Sequence, residues 1–121
     1  MDNRPIGIFD SGFGGLTALT ALRRLMPDEN IIFFADRARA PYGARSAGEL
    51  RVIARQDLEF VASFGVKAII AACGTVSANA PDVIADFDIP SVGVLEESVR
   101  TMSVFPGDAP LGIIATAASI R

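Results

Sequence analysis

Cys73 is the only cysteine in the chain and the side chain best suited to covalent or proton-transfer chemistry. It follows an apolar run, residues 68–72, and precedes a stretch of small residues that begins at Gly74. This order predicts a buried parallel strand that ends in a loop and the first turn of a helix, the edge at which α/β sheets bind ligands. A thiol at that edge is a candidate nucleophile or base. The alternative is a small buried hydrophobic residue, which is the usual state of a free cysteine.

Other polar side chains also follow predicted strands directly. Asp10 and Ser11 come after the apolar run 6–9, and Asp36 comes after the run 31–35. Because parallel strands point the same way, their carboxyl ends lie at one edge of the sheet. The sequence therefore predicts one crevice that holds Asp10, Ser11, Asp36, Cys73, Gly74, Thr75, Glu96 and Thr116.

The residue types that are missing limit the chemistry of this crevice. The chain has no histidine, which excludes a cysteine–histidine pair within it and argues against a metal site. A pyridoxal Schiff base needs a lysine, and Lys67 precedes the third strand, at the opposite end of the sheet. We therefore expect no cofactor and no metal, and acid/base or covalent thiol chemistry on a small polar substrate.

Each polar residue also has an ordinary structural interpretation. Asp10 could simply accept amide hydrogen bonds in the glycine turn, and Asp36 could cap the nearby arginines. Helix capping is the alternative for Thr75, Ser77 and Glu96. Asp57 interrupts the apolar face of its helix, and we expect it to be solvated. Surface or interface positions are expected for Arg37, Arg39 and Arg45.

The elements that must position these residues alternate regularly. Apolar runs predict strands at 6–9, 31–35, 68–72, 91–94 and 111–115. Helical spacing or capping signals predict helices at 16–25, at about 47–64 after a Ser46–Glu49 capping box, in the segment with Pro81 near its start, and at about 96–104. The fold class is α/β: a three-layer arrangement, flavodoxin-like, with a mainly parallel sheet and helices on both faces.

Composition narrows the class of partner. The 121 residues carry a net charge of −3 and are half hydrophobic, so we expect a packed domain without a nucleic-acid or anionic membrane partner. No long apolar stretch suits a membrane span or a signal peptide, and a single cysteine fits a reducing compartment. The expectation is a cytoplasmic protein with a small-molecule substrate.

Three motifs resemble one family. IGIFDSGFGGL (6–16), ADRARAPYGARS (35–46) and AACGTVSA (71–78) are similar, in order and spacing, to the glutamate racemases of the aspartate/glutamate racemase superfamily. The resemblance implies cofactor-independent interconversion of L- and D-glutamate by two cysteines on opposite faces of the substrate, supplying D-glutamate for peptidoglycan. It implies the following roles: Cys73 as the first cysteine, Asp10 as its assistant, and substrate contacts from Asp10, Ser11, Tyr42, Gly43, Gly74 and Thr75.

The same resemblance implies an organisation in two lobes. Residues 1–95 match the first lobe, and residues 96–121 match a connecting helix and the first strand of a second lobe. The family's second cysteine lies in that missing part, so we expect this chain alone to be inactive, and the whole protein to be a homodimer. Gly74 stands where the family usually has asparagine, which removes a side-chain donor.

Two rival interpretations remain open. One is another enzyme of the superfamily, such as an aspartate or hydantoin racemase or a malonate decarboxylase. The other is a flavodoxin-like binding module in which Cys73 is structural.

Overall fold

In the described part of the chain, the sheet is fully parallel and has four strands. The computed structural model describes residues 2–105 and 107–120. The strands are β1 (Ile6–Asp10), β2 (Ile31–Ala35), β3 (Ala68–Ala71) and β4 (Ser91–Gly93), in the order β2-β1-β3-β4. β1 is central and pairs with β2 and β3, with Ile8 opposite Phe33 on one side and opposite Ile70 on the other. The predicted parallel sheet is confirmed for these four strands.

Helices cover both faces of this sheet. They are α1 (Leu16–Leu25), α2 (Ala47–Ala62), α3 (Gly74–Asn79), α4 (Pro81–Ala85), α5 (Val94–Ser103) and α6 (Ala117–Ile120). The chain runs outward from β1 to β2 and then back across β1 to β3 and β4. Because parallel crossovers are right-handed, this reversal places α1 on one face and α2 to α4 on the other. In agreement, α2 packs against both α3 and α4. The predicted α/β fold class is therefore confirmed.

The main core lies between the sheet and α2. Leu50, Ala54, Leu58 and Val61 of α2 are completely buried and pack with Phe9 of β1. The predicted capping box starts the helix: the Ser46 hydroxyl accepts from the Glu49 amide, while the Glu49 carboxylate accepts from the Ser46 amide. The other face is thinly covered, because no residue of α1 is buried. The α2 side of the sheet thus holds the larger part of the core.

The predicted fifth strand, residues 111–115, is wrong for the structure of this chain. These residues form no strand, and Ile113 and Ile114 are among the most exposed apolar side chains. A strand needs neighbouring backbone to satisfy its amides and carbonyls. The described residues place no strand beside this segment, since the sheet ends at β4.

The helices are short. Among the residues that the structure describes, none is long and apolar enough to cross a membrane.

Candidate active site

A cleft of about 520 Å³ opens at the carboxyl ends of the strands. One side is formed by residues that follow β1 and β3, namely Asp10, Ser11, Cys73, Gly74 and Thr75. The opposite side comes from Leu95 and Met102 of α5, residues 112–116, and Ser119 of α6. The predicted convergence at this edge is therefore seen for Asp10, Ser11, Cys73, Gly74, Thr75 and Thr116.

The turn after β1 is organised by the Asp10 carboxylate. Its Oδ1 accepts a hydrogen bond from the Ser11 amide at 2.8 Å, and its Oδ2 accepts from the Gly15 amide at 2.8 Å. A Cβ at position 15 would lie 2.8 Å from the Asp10 Cβ and 3.0 Å from the Ala72 Cβ, so only glycine allows this close approach. Asp10 thus performs the ordinary role of amide acceptor while its side chain also lines the cleft.

The Cys73 thiol lies at the floor of the cleft. It is 3% exposed and immediately precedes α3, whose first amides have no partner within the helix. Its Sγ donates to the Ser11 Oγ across 3.6 Å. The thiol therefore has a hydroxyl neighbour and lies at the positive end of a short helix.

The two walls of the cleft are joined by hydroxyl groups. Thr75 Oγ1 and Thr116 Oγ1 are 2.9 Å apart, and the Asn79 side-chain amide donates to the Ala118 carbonyl oxygen at 2.8 Å. Thr116 also precedes α6, as predicted, and shares a hydrogen bond with Ser119 across 3.0 Å. These contacts hold α6 against α3 and close one end of the cleft.

Gly43 supports the same corner of the cleft from a different loop. A Cβ at this position would lie 2.9 Å from the Thr116 Cβ, so the loop backbone is in close contact with the Thr116 side chain. The neighbouring Tyr42 side chain is 2% exposed and turns away from the cleft. Its hydroxyl lies against Asp36 and, at 2.9 Å, against the Asp57 Oδ2. Any contribution of Tyr42 to the cleft therefore comes from its backbone.

Two of the residues predicted at the rim lie elsewhere. Asp36 does not line the cleft, because its carboxylate accepts from Arg39 Nε at 2.6 Å and from Tyr42. This matches the alternative of arginine capping. Glu96 points into a separate cavity of about 140 Å³ beside Ser77 and Ile84. Glu96 lies in the first turn of α5, which matches its alternative as a helix-start residue, while Leu95 and Met102 are the residues of α5 that line the cleft.

Asp57 corrects another expectation. It is completely buried rather than solvated, and its Oδ1 accepts from Arg39 Nη2 at 2.5 Å. Arg39 is likewise not a plain surface group, since it pairs with both carboxylates. Burial raises the pKa of Asp57 to about 6, although Tyr42 and Arg39 act in the opposite direction. Burial and the Asp36 hydrogen bond also raise the pKa of Tyr42.

The sequence contained a signal for this cluster. Asp57 lies four residues from both Ile53 and Val61, on the buried face of α2. A carboxylate on such a face needs a partner, and the arginines and tyrosine of the loop 37–45 were the available candidates.

No metal site accompanies the cleft. Within residues 2–105 and 107–120, no group of three or more cysteine or carboxylate side chains could hold a metal ion.

Known proteins are similar to nearly the whole chain. The glutamate racemase of Gloeothece citriformis is 48% identical over 116 residues, which are 95% of this chain and 41% of that protein. The solved glutamate racemase of Thermus thermophilus, in complex with β-chloro-D-alanine, is 44% identical, has a TM-score of 0.88, and matches 98% of this chain and 45% of that one. The solved glutamate racemase of Francisella tularensis, in complex with D-glutamate, is 43% identical with a TM-score of 0.88 over 99% of this chain and 45% of that one.

The chain thus spans less than half the length of these relatives. No family model matches it.

The structure is therefore a parallel α/β lobe with a thiol-lined cleft at the carboxyl edge of its sheet, and it superposes on part of the solved glutamate racemases. Over nearly its whole length the chain is homologous to glutamate racemases, and the match is consistent with an amino-terminal fragment of those proteins.

Proposed function

We propose that this chain forms the first half of a glutamate racemase, in which Cys73 exchanges a proton with the α-carbon of glutamate. The observation that carries the proposal is the position of Cys73. A buried thiol, 3.6 Å from the Ser11 hydroxyl, lines a cleft at the edge where parallel sheets bind ligands. The Francisella tularensis racemase, solved with D-glutamate, is similar over 99% of the chain.

The proposed chemistry is a proton transfer without a cofactor. The Cys73 thiolate takes the α-proton, the C–H electron pair stays on the α-carbon, and the sulfur becomes a thiol. Inversion then requires a proton from the opposite face of the planar carbon. The chain has one cysteine and no histidine, so we assign that donor to a second cysteine in the rest of the protein.

The remaining residues of the cleft are proposed to orient the substrate. Ser11 and Thr75 present hydroxyl groups on either side of Cys73, and the first amides of α3 suit the α-carboxylate of an amino acid. Asp10 fixes the turn that carries Ser11 and assists the thiol. The backbone of Tyr42 and Gly43 is proposed to receive the side-chain carboxylate of glutamate, with Gly74 contributing backbone only.

Further properties of the whole protein follow as proposals. Residues 1–95 form the first lobe, and residues 96–121 lead into a second lobe that supplies the other half of the site. The whole protein is a cytoplasmic homodimer that provides D-glutamate for peptidoglycan. The 121-residue chain alone does not racemise glutamate. Deuterium incorporation at the α-carbon in D₂O, with inversion, would contradict that last statement.

Binding of glutamate to the chain tests the proposed function directly. In a ¹⁵N–¹H titration, D-glutamate is expected to shift the amides of Ser11, Gly74 and Thr75, whereas D-lysine of opposite side-chain charge is not. Because Cys73 is the only thiol, its alkylation by iodoacetamide reports the site without ambiguity. We expect D-glutamate to slow this reaction, and a Ser11→Ala variant to lose most of the protection.

A different result would favour the structural interpretation of the cysteine. If saturating glutamate moves none of these amides and leaves alkylation unchanged, Cys73 is core filling and the chain is a binding module of another kind. If aspartate protects better than glutamate, the substrate is a shorter acid of the same superfamily.

A further inference from the structure

The hydroxyl of Tyr42 contacts two carboxyl groups at once. Asp36 Oδ2 and Asp57 Oδ2 both lie within hydrogen-bond distance of the Tyr42 oxygen. A phenol has one hydrogen to donate, so it satisfies only one of these oxygens. The second contact is a hydrogen bond only if that carboxyl group carries a proton and donates it to the tyrosine oxygen. Both contacts are hydrogen bonds at once when the pair of aspartates holds one extra proton.

Arg39 identifies the carboxyl group that holds this proton. Its Nε donates to Asp36 Oδ2 at 2.6 Å, and its Nη2 donates to Asp57 Oδ1 at 2.5 Å. Asp36 Oδ2 thus accepts from both Arg39 and Tyr42, as an ionised oxygen does. Asp57 Oδ2 has Tyr42 as its hydrogen-bond partner and belongs to a completely buried side chain. The proton belongs on Asp57, because burial penalises its charge most.

The charges around Asp57 agree with this assignment. One guanidinium faces two carboxyl groups, so a proton on Asp57 leaves a neutral cluster of Arg39 and Asp36. The titratable groups that act on Asp57 are Asp36, Arg39 and Tyr42, all from one loop. From the described strands and helices that pack against α2, no charged group acts on it; the Arg51–Asp82 pair between α2 and α4 lies at the surface.

The cluster is mechanically connected to the cleft. Tyr42 is followed by Gly43, whose backbone lies in close contact with Thr116. Thr116 in turn shares a hydrogen bond with Thr75, close to the Cys73 thiol. We propose that Asp57 is a positioning residue that shares a proton with Asp36 across the Tyr42 hydroxyl, and that this anchor sets Gly43 against Thr116 at one corner of the cleft. Its relevance to glutamate depends on the proposed function; the anchor itself does not.

The anchor has a measurable signature in the unmodified chain. Asp57 is expected to keep its proton until about pH 6, well above the ordinary carboxyl value of 3.8. We expect the ¹³C carboxyl resonance of Asp57 to titrate with that midpoint, and the amides of Gly43 and Thr116 to shift with the same midpoint. An Asp57 midpoint near 4, or Gly43 and Thr116 amides that do not follow it, would overturn the proposal.

Variants separate the shared proton from simple packing. In Asp57→Asn, the titration of the Gly43 and Thr116 amides near pH 6 should disappear. In Tyr42→Phe, Asp57 should still titrate while Gly43 and Thr116 no longer follow it. The matched control is Asp82→Asn, which removes a surface carboxylate paired with Arg51 and should leave the titration unchanged. If Asp82→Asn abolishes it, or Asp57→Asn and Tyr42→Phe both preserve it, the anchor is wrong.

Binding of D-glutamate distinguishes the anchor from the proposed function. Between pH 5.5 and 7.5 free glutamate does not change its charge, so a change in Kd reports the protein. We expect Kd to rise roughly tenfold in the native chain as the anchor loses one hydrogen bond, and to stay constant in Asp57→Asn. If D-glutamate binds at neither pH, the proposed function is refuted, whereas the pH titration of the Gly43 and Thr116 amides still tests the anchor. Binding with the same Kd at both pH values, despite that titration, would refute the positioning role.

Discussion

The residues up to the end of β4 and those after it differ in how far their side chains are buried, although both regions are rich in apolar side chains. The core lobe (residues 6–93) contains every described buried hydrophobic side chain except Ala118. The C-terminal segment (residues 94–120) includes α5, in which no residue is buried, and the exposed run at 111–115. Hydrophobicity alone therefore does not produce burial.

The contrast is clearest between two similar sequences. Residues 68–71 (AIIA) and residues 112–115 (GIIA) are nearly identical in composition. The first becomes β3, with β1 on one side and β4 on the other, and its Ile69 is 1% exposed. The second has no strand beside it among the described residues, and its Ile114 is fully exposed. Neighbouring backbone, and a helix to cover the face, decide which apolar run enters the core.

The largest predicted effect tests this contrast with matched leucines. Leu58→Ala, at a completely buried position of α2, should lower the free energy of unfolding by about 2–5 kcal/mol, because it leaves a cavity. Leu111→Ala, at a position 60% exposed, should change it by less than about 0.5 kcal/mol. Urea unfolding followed by circular dichroism measures both. Comparable losses would mean that the C-terminal segment is packed in solution.

The next effect concerns the buried carboxyl of the core lobe. Since the pKa of Asp57 is raised from 3.8 to about 6, the folded state holds its proton more tightly than the unfolded state. This contribution is fully present below pH 4 and is lost as the pH rises through 6. Relative to Asp57→Asn, the native chain should lose roughly 2–3 kcal/mol between pH 4 and 7. A difference independent of pH would contradict the protonated assignment.

A smaller effect is expected where the two regions touch. Thr116→Val removes the hydrogen bond to Thr75 and should cost about 1 kcal/mol, with faster exchange of the Ser119 amide. Thr101→Val is the control, because its hydroxyl donates to the Glu97 carbonyl oxygen within α5 and so joins no two elements. If both variants behave alike, the contact between α6 and α3 does not hold the wall of the cleft.

The smallest effect concerns Gly74, which stands where glutamate racemases usually have asparagine. A Cβ at position 74 would meet no atom within 4 Å, so asparagine fits without displacing anything. Gly74→Asn should leave stability within about 0.5 kcal/mol and tighten D-glutamate binding by a factor of about 3–10, through one added hydrogen bond. Gly48→Asn, an equally open position on α2, is the control. Isothermal titration calorimetry measures the affinity for D-glutamate. If Gly74→Asn binds it no more tightly than the native chain, an asparagine side chain at position 74 has no role in binding.

Sequence reasoning succeeded where the signal was local. The capping box at Ser46 and Glu49, and Pro81 in the first turn of α4, each depend on a few neighbouring residues, and both were confirmed. The placement of Cys73 beside Ser11 followed from strand direction alone. The prediction failed for Glu96 because the face of α5 that meets the cleft, which carries Leu95 and Met102, is set by how that helix packs.

Taken alone, the sequence determined the order along the chain of the four strands that form the sheet and of the helices between them, the parallel sheet, and the edge where Cys73 and Asp10 lie. Apolar periodicity and strand polarity are properties of the chain itself. Only the tertiary structure decided that Asp57 is buried against Tyr42 and Arg39, and that residues 111–115 remain unpaired. Those outcomes depend on which distant backbone or side chain lies alongside. Helical spacing places Asp57 on the buried face of α2, but it does not specify the partners of its carboxyl group.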